Sequence, residues 1–203
     1  MTLLESSPST RPVSPPQTLD EAKLNAFVGK AVGDWGTLTS SALVVIGDKL
    51  GLYQAMSAAG PVTSSELAGR TGTVETYVRP WLVNQAAGGY IEYDAGTGTY
   101  SLPPEHAAAL GQVAAAYYLF TAMIKAEPRI VKAFTTGEGM LWGDHDPGVF
   151  FGCERFFRPG CEQNLVQNWI PALEGVQAKL ERGAEVADVG CGHGASTIIM
   201  ATA

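Results

Sequence analysis

Apolar residues return at helical spacing along most of this chain. From Leu19 to Val32, the residues Leu24, Phe27, Val28 and Ala31 fall on one side, and Asp20 and Glu21 open the segment where acids suit the helix dipole. Gly33, Trp35 and Gly36 predict a break. A second helix is predicted from Thr39 to Met56, with Leu43, Ile46, Leu50 and Tyr53 in phase and Gly51 inside it. Two helices this apolar carry more surface than one small domain covers, so subunit pairing, a homodimer through these helices, is expected.

The pattern then shortens. Thr63-Ser64-Ser65-Glu66 spells a capping box that opens a short helix, and Gly69 to Gly72 reads as a turn. Thr73 is expected to cap a helix toward Ala87, with Val74, Tyr77, Val78, Trp81 and Leu82 apolar and Gly88-Gly89 ending it. Pro80 inside that helix removes one backbone bond, so a kink or a later start is expected. The runs 90–93 and 99–102 flank Asp94-Ala95-Gly96-Thr97-Gly98 and read as a hairpin. Helix, turn, helix and hairpin in this order describe a winged helix. As a reader of DNA it is poorly equipped. Its second helix offers Arg79 against Glu75, and its hairpin offers Asp94 and no base.

Pro103 to Phe134 reads as mostly helical, and Ala107 to Ile124 is apolar enough to raise the question of a membrane span. The run is rich in Ala, and Tyr117 and Tyr118 sit in its middle, which favours a buried helix within a dimer or between domains and no membrane. Thr135 to Gly160 is dense in Gly and aromatics without a helical period. Asp144-His145-Asp146 offers three ligand types in a row, but adjacent side chains rarely converge on one ion, so a solvated turn is favoured and no metal is expected. His145 beside carboxylates is the candidate general base. His106 is placed at a helix start, and further helices are expected over Cys161–Trp169 and Ala172–Leu180.

Composition narrows the class. Of the 203 residues, 46% are hydrophobic and 16% charged, which suits a globular chain. The net charge of −7 opposes general nucleic-acid binding. Three cysteines with no C-x-x-C spacing, and no apolar core in the first eighteen residues, fit a cytoplasmic protein with reduced thiols. Residues 1–17, with Pro8, Pro12, Pro15 and Pro16 among Ser and Thr, are expected to form a disordered tail.

The densest chemistry lies near the end. Val186 to Val189 is a short apolar run, predicted as a strand, that carries Asp188. Gly190, Gly192 and Gly194 alternate after it, and Ala195 to Met200 reads as the start of a helix. Such a turn brings backbone N–H groups to one concave spot, and glycine allows both close approach and positive φ. Asp188-x-Gly190-x-Gly192-x-Gly194 resembles motif I of the class I S-adenosylmethionine-dependent methyltransferases. The resemblance implies S-adenosylmethionine as cofactor, with the glycine loop around its methionine part and Asp188 near its ammonium group. The candidate cofactor contacts are therefore Asp188, Gly190, Cys191, Gly192 and Gly194, with Cys191 and His193 in variable positions. Arg158, after Phe156 and Phe157, is a candidate for the cofactor's carboxylate or else a surface ion pair. The letters Gly190-x-Gly192-x-x-Ala195 also satisfy a dinucleotide fingerprint, although an acid ahead of the first glycine would repel a pyrophosphate.

The winged helix likewise resembles the N-terminal domain with which many small-molecule methyltransferases pair and roof their substrate. The implied fold class is mainly α: a helical, winged-helix domain over 18–134, then linker helices and the first βα unit of a Rossmann-like methyltransferase domain over 135–203. The implied partner is a small-molecule methyl acceptor. Because the last glycine lies only nine residues before Ala203, the chain is expected to be a truncated front part, inactive alone. Two other classes stay open: a winged-helix regulator of transcription, and a free-standing pairing module.

Overall fold

The computed structural model describes residues 18–203, so the expected tail over 1–17 lies outside the described residues. The chain divides into two units, one ending at Thr37 and the other running from Leu38 to Ala203. Helix α1 spans Glu21–Lys49. The predicted break at Gly33–Gly36 does not occur. Glycine in a helix costs about 1 kcal/mol, and here the same stretch carries a Lys30–Asp34 pair one turn apart and a Thr37 hydroxyl bonded back to the Gly33 carbonyl. Within the first unit Leu24, Phe27, Val28 and Val32 face solvent.

The break comes at Gly51, in the left-handed conformation with φ of 69°, and α2 then runs Leu52–Ala59. This shifts the buried stripe. Val44, Leu52, Tyr53 and Met56 are buried, whereas Ile46 and Leu50, predicted in phase with Tyr53, are about half exposed.

Helix α3 (Ser64–Thr71) opens on the predicted capping box: Thr63 Oγ1 accepts from the Glu66 amide, and the Glu66 carboxylate accepts from the Thr63 amide at 2.8 Å. Gly72, at φ of 65°, closes it. Helix α4 (Glu75–Ala87) starts from Val74, not from Thr73. The Thr73 hydroxyl lies one position ahead of that N-cap and meets Thr71 Oγ1 at 2.8 Å. Pro80 is accommodated inside α4 because it and Thr76, the carbonyl it leaves without a partner, both lie on the exposed face.

Strands β1 (Glu92–Asp94) and β2 (Thr99–Ser101) pair antiparallel, Tyr93 opposite Tyr100. Val62 adds an isolated antiparallel bridge to β2, exchanging two 2.8 Å backbone bonds with Tyr100. The core of this winged helix gathers Leu52, Met56, Leu67, Val78, Trp81, Leu82, Ile91 and Leu110. Its one fully buried amide, Gln85, accepts from the Tyr53 hydroxyl and donates to Asn84 Oδ1 at 3.1 Å, and Trp81 Nε1 donates to the Leu43 carbonyl at 2.8 Å. Burial pushes the Tyr53 phenol above its usual range.

Helix α5 spans Pro104–Ile124, and His106 near its start bonds the Tyr90 carbonyl through Nδ1 at 3.0 Å. By length and composition α5 could cross a membrane. Here Leu110 packs into the winged-helix core, while Leu119 and Ala122 pack on Val149. Helix α6 (Glu127–Thr136) and a 3-10 turn (Trp142–Asp144) follow.

Two expectations fail in the next segment. The aromatic-rich stretch is not irregular: Pro147–Asn164 forms α7, with Asp146 capping the Gly148 amide at 2.8 Å. Nor is 161–169 a separate helix, because α7 continues as a π-type segment over Leu165–Trp169, where the Ile170 amide reaches back five residues to Leu165. The apolar period of α7 is hidden because glycines, not large residues, make its tightest contact. A Cβ on Gly152 would lie 2.7 Å from the Leu119 backbone, and one on Gly148 2.9 Å from the Ala122 Cβ.

The helix predicted over 172–180 is shorter, α8 (Val176–Glu181), because Gly175 takes a φ of 73° just ahead of it. The strand predicted over Val186–Val189 does not form: these residues pair with no other strand among the described residues, whose one sheet is the β1–β2 hairpin. A strand is defined by its neighbour, and the apolar residues there stay uncovered: Val189 is 95% exposed. Helix α9 covers Ala195–Thr202.

Candidate cofactor loop

The glycine loop is built as its spacing predicts. Gly190, Gly192 and Gly194 have φ of 78°, 56° and 79°, in the region that L side chains rarely adopt. Nothing lies within 4 Å of a Cβ placed on any of the three, so no neighbour plugs the loop. The Gly194 amide closes a turn on the Cys191 carbonyl at 2.8 Å. The amides of Cys191, Gly192 and His193 donate to no described residue. Gly194 caps α9, whose first-turn amides point out of the helix.

Asp188 is bonded to the first turn of α9. Its Oδ2 accepts from Ser196 Oγ at 2.6 Å and from Thr197 Oγ1 at 2.7 Å. These hydroxyls, Ser196 first and then Thr197, hold the carboxyl below its ordinary value of 3.8, so it is ionised at neutral pH. Sequence reasoning singled out the acid and the glycines but missed Ser196 and Thr197. The signal was there: two hydroxyls on the first turn of the helix that follows the glycines, eight and nine positions after the acid. A cavity of about 870 Å³ adjoins Asp188 and Thr197, lined by apolar residues such as Val166, Ile170 and Met200 and by none of the three glycines.

The loop is tied to α7 by a ring contact that the sequence did not announce, Phe151 against His193 with centroids 5.1 Å apart. The other candidates lie elsewhere. Arg158, two turns beyond Phe151 on α7, gives Nε and Nη2 to Glu154, and no bond joins it to Asp188 or the loop. Cys191 is exposed, with its thiol turned to the Gly192 carbonyl at 3.8 Å. His145 stacks edge-on to Trp142 at 5.0 Å, and its Nδ1 is buried with no partner. Its carboxylate neighbours are spoken for: Asp144 pairs with Arg129 at 3.0 Å, and Asp146 caps α7 and pairs with Lys125 at 2.9 Å. No group of side chains able to hold a metal occurs among the described residues.

An ionised carboxylate, open glycines and unbonded amides together match an α-amino acid carried as its zwitterion: acceptor for the ammonium, donors for the carboxylate. They match a pyrophosphate poorly, since Asp188 would face it.

Residues 39–112 match the model of the Rv2258c-like winged HTH domain. No curated protein matches the chain. Among solved structures, the chain resembles the mitomycin 7-O-methyltransferase MmcR, with a TM-score of 0.60 and 18% identity over 89% of this chain and 56% of that one. It also resembles CalO1, a methyltransferase in calicheamicin biosynthesis in its SAH-bound form (TM-score 0.54, 19% identity, 92% of this chain and 57% of that one). PigF with SAH gives a TM-score of 0.54 at 16% identity, covering 86% and 55% of the two chains. The chain thus has the fold of winged-helix methyltransferases and spans little more than half the length of these structures.

Proposed function

We propose that this chain carries the winged-helix and motif I parts of a cytoplasmic S-adenosylmethionine-dependent methyltransferase that acts on a small molecule. The observation that carries the reading is the ionised Asp188 carboxylate beside three unobstructed glycines of positive φ. Asp188, Gly190, Cys191, Gly192 and Gly194 would hold the amino-acid end of the cofactor, which when bound supplies the electrophilic methyl group. Arg158 would take part only after leaving Glu154. His145, with its unpartnered Nδ1, is the candidate base on the acceptor side. Domain limits at 18–134 and 135–203, with pairing of two copies through the N-terminal helices, complete the proposal. The 203 residues alone bind the cofactor weakly, by its amino-acid end, and do not turn over.

The winged HTH match favours a second reading, a regulator on DNA. The surface opposes it. Arg79 is bound to Glu75, which also accepts from Ser64 Oγ at 2.6 Å, and Asp94 folds the hairpin by accepting from the Gly96 amide and Thr97 Oγ1, each at 2.8 Å.

Amide NMR tests the choice. S-adenosylhomocysteine should shift the Gly190, Gly192 and Gly194 signals saturably at millimolar concentration, and NADH should not. Shifts with NADH alone would establish a dinucleotide site instead.

A further inference from the structure

Both hydroxyls that meet Asp188 bond the same oxygen. Ser196 Oγ and Thr197 Oγ1 are 2.6 Å and 2.7 Å from Oδ2, and Oδ1 accepts from no described residue. The two donors belong to consecutive residues in the first turn of α9, two and three positions after the Gly194 cap, so the helix that follows the loop sets the rotamer of the acid that precedes it. A carboxylate usually rotates freely about its last bond and can offer either oxygen. This one is held at one oxygen by two donors, while its other oxygen makes no hydrogen bond to a described residue.

We propose that Ser196 and Thr197 are positioning residues that clamp Asp188 through Oδ2 and so present Oδ1 as a single, fixed acceptor for the ammonium group of the cofactor's amino-acid end. The inference rests on the S-adenosylmethionine reading given above. Its physical content is discrimination: a fixed charged acceptor is left without a partner when a ligand lacks the amine, and that loss is larger than for an acceptor free to turn back to water. The two hydroxyls also favour the ionised form of the carboxylate without bringing a cation that would compete with the ligand.

The test compares the wild-type chain with the Ser196→Ala/Thr197→Val double variant. Each is titrated with S-adenosylhomocysteine and with its desamino analogue, read from loop amide shifts, and the carboxyl carbon of Asp188 is followed against pH without ligand. The wild type should prefer the amine-bearing ligand by about tenfold or more. The double variant should lose most of that preference, and its Asp188 should titrate closer to the ordinary aspartate value. Ser196→Thr/Thr197→Ser, which keeps both hydroxyls, should restore the preference. If the double variant does not fold, each single replacement should lose part of the preference. A preference retained without the hydroxyls overturns this inference and leaves the cofactor reading standing. No saturable shift of wild-type signals with S-adenosylhomocysteine overturns both.

Discussion

Arg155 and Asp48, 107 positions apart, meet as a forked ion pair: Nη2 donates to Oδ1 at 2.8 Å and Nη1 to Oδ2. The pair joins α7 to the C-terminal end of α1, and Asp48 keeps only 9% of its side-chain surface exposed. The hydrogen bonds to Asp48 raise the Arg155 guanidinium above its already high range. Truncation as Arg155→Ala strands the enclosed carboxylate. A loss of about 1.5–3 kcal/mol is expected from hydrogen bonds to charged groups. Arg155→Lys should recover only part of it, since an ammonium cannot fork. Urea unfolding of the two variants checks this.

The α5–α7 contact rests on missing side chains. Gly152→Ala would place its methyl 2.7 Å from the Leu119 backbone, which cannot turn aside as a flexible side chain could. Overpacking of this kind costs about 1–3 kcal/mol or more. Gly160→Ala is the control, because nothing lies within 4 Å of the added atom. Thermal unfolding should show a marked drop in Tm for the first and almost none for the second.

The capping box gives a defined response to acid. The Thr63 amide and then the Thr63 hydroxyl lower the Glu66 carboxyl from its ordinary 4.5. A group with a depressed folded value contributes its stability fully above its unfolded value. That contribution should start to fade as pH drops below about 4.5 and be gone below the lowered folded value. The stability gap between the wild type and Glu66→Gln should be flat from pH 7 to 5 and narrow below that, measured by denaturant midpoints across the range.

Exposed apolar residues on the first unit make pairing testable. Phe27 is 69% exposed and shares its face with Leu24 and Val28. Sedimentation equilibrium should show a dimer for the wild type and a shift toward monomer for Phe27→Lys. A monomeric wild type would remove the pairing proposal.

Local chemistry is legible in the sequence. The Thr63–Glu66 box, the 94–98 hairpin and the glycines at 190, 192 and 194 depend on atoms a few residues apart, and each forms where its letters stand. Misreadings arose wherever a distant partner decided. Gly33 and Gly36 were read as breakers, yet the helix passes through them and stops at Gly51. The stretch that forms α7 shows no helical period because the purpose of its glycines, close approach to Leu119 and Ala122, lies on another helix.

By itself the sequence determined the acid and the three glycines, since a positive φ and a nearby charge are properties of a short stretch of backbone. Only the tertiary structure decided how Asp188 is held, which oxygen it leaves open, and that His193 leans on Phe151. The physical reason is the same in each case. Hydrogen-bond direction and ring contact depend on where two elements cross in space, and hydrophobic spacing along one element records which face is covered without recording by whom.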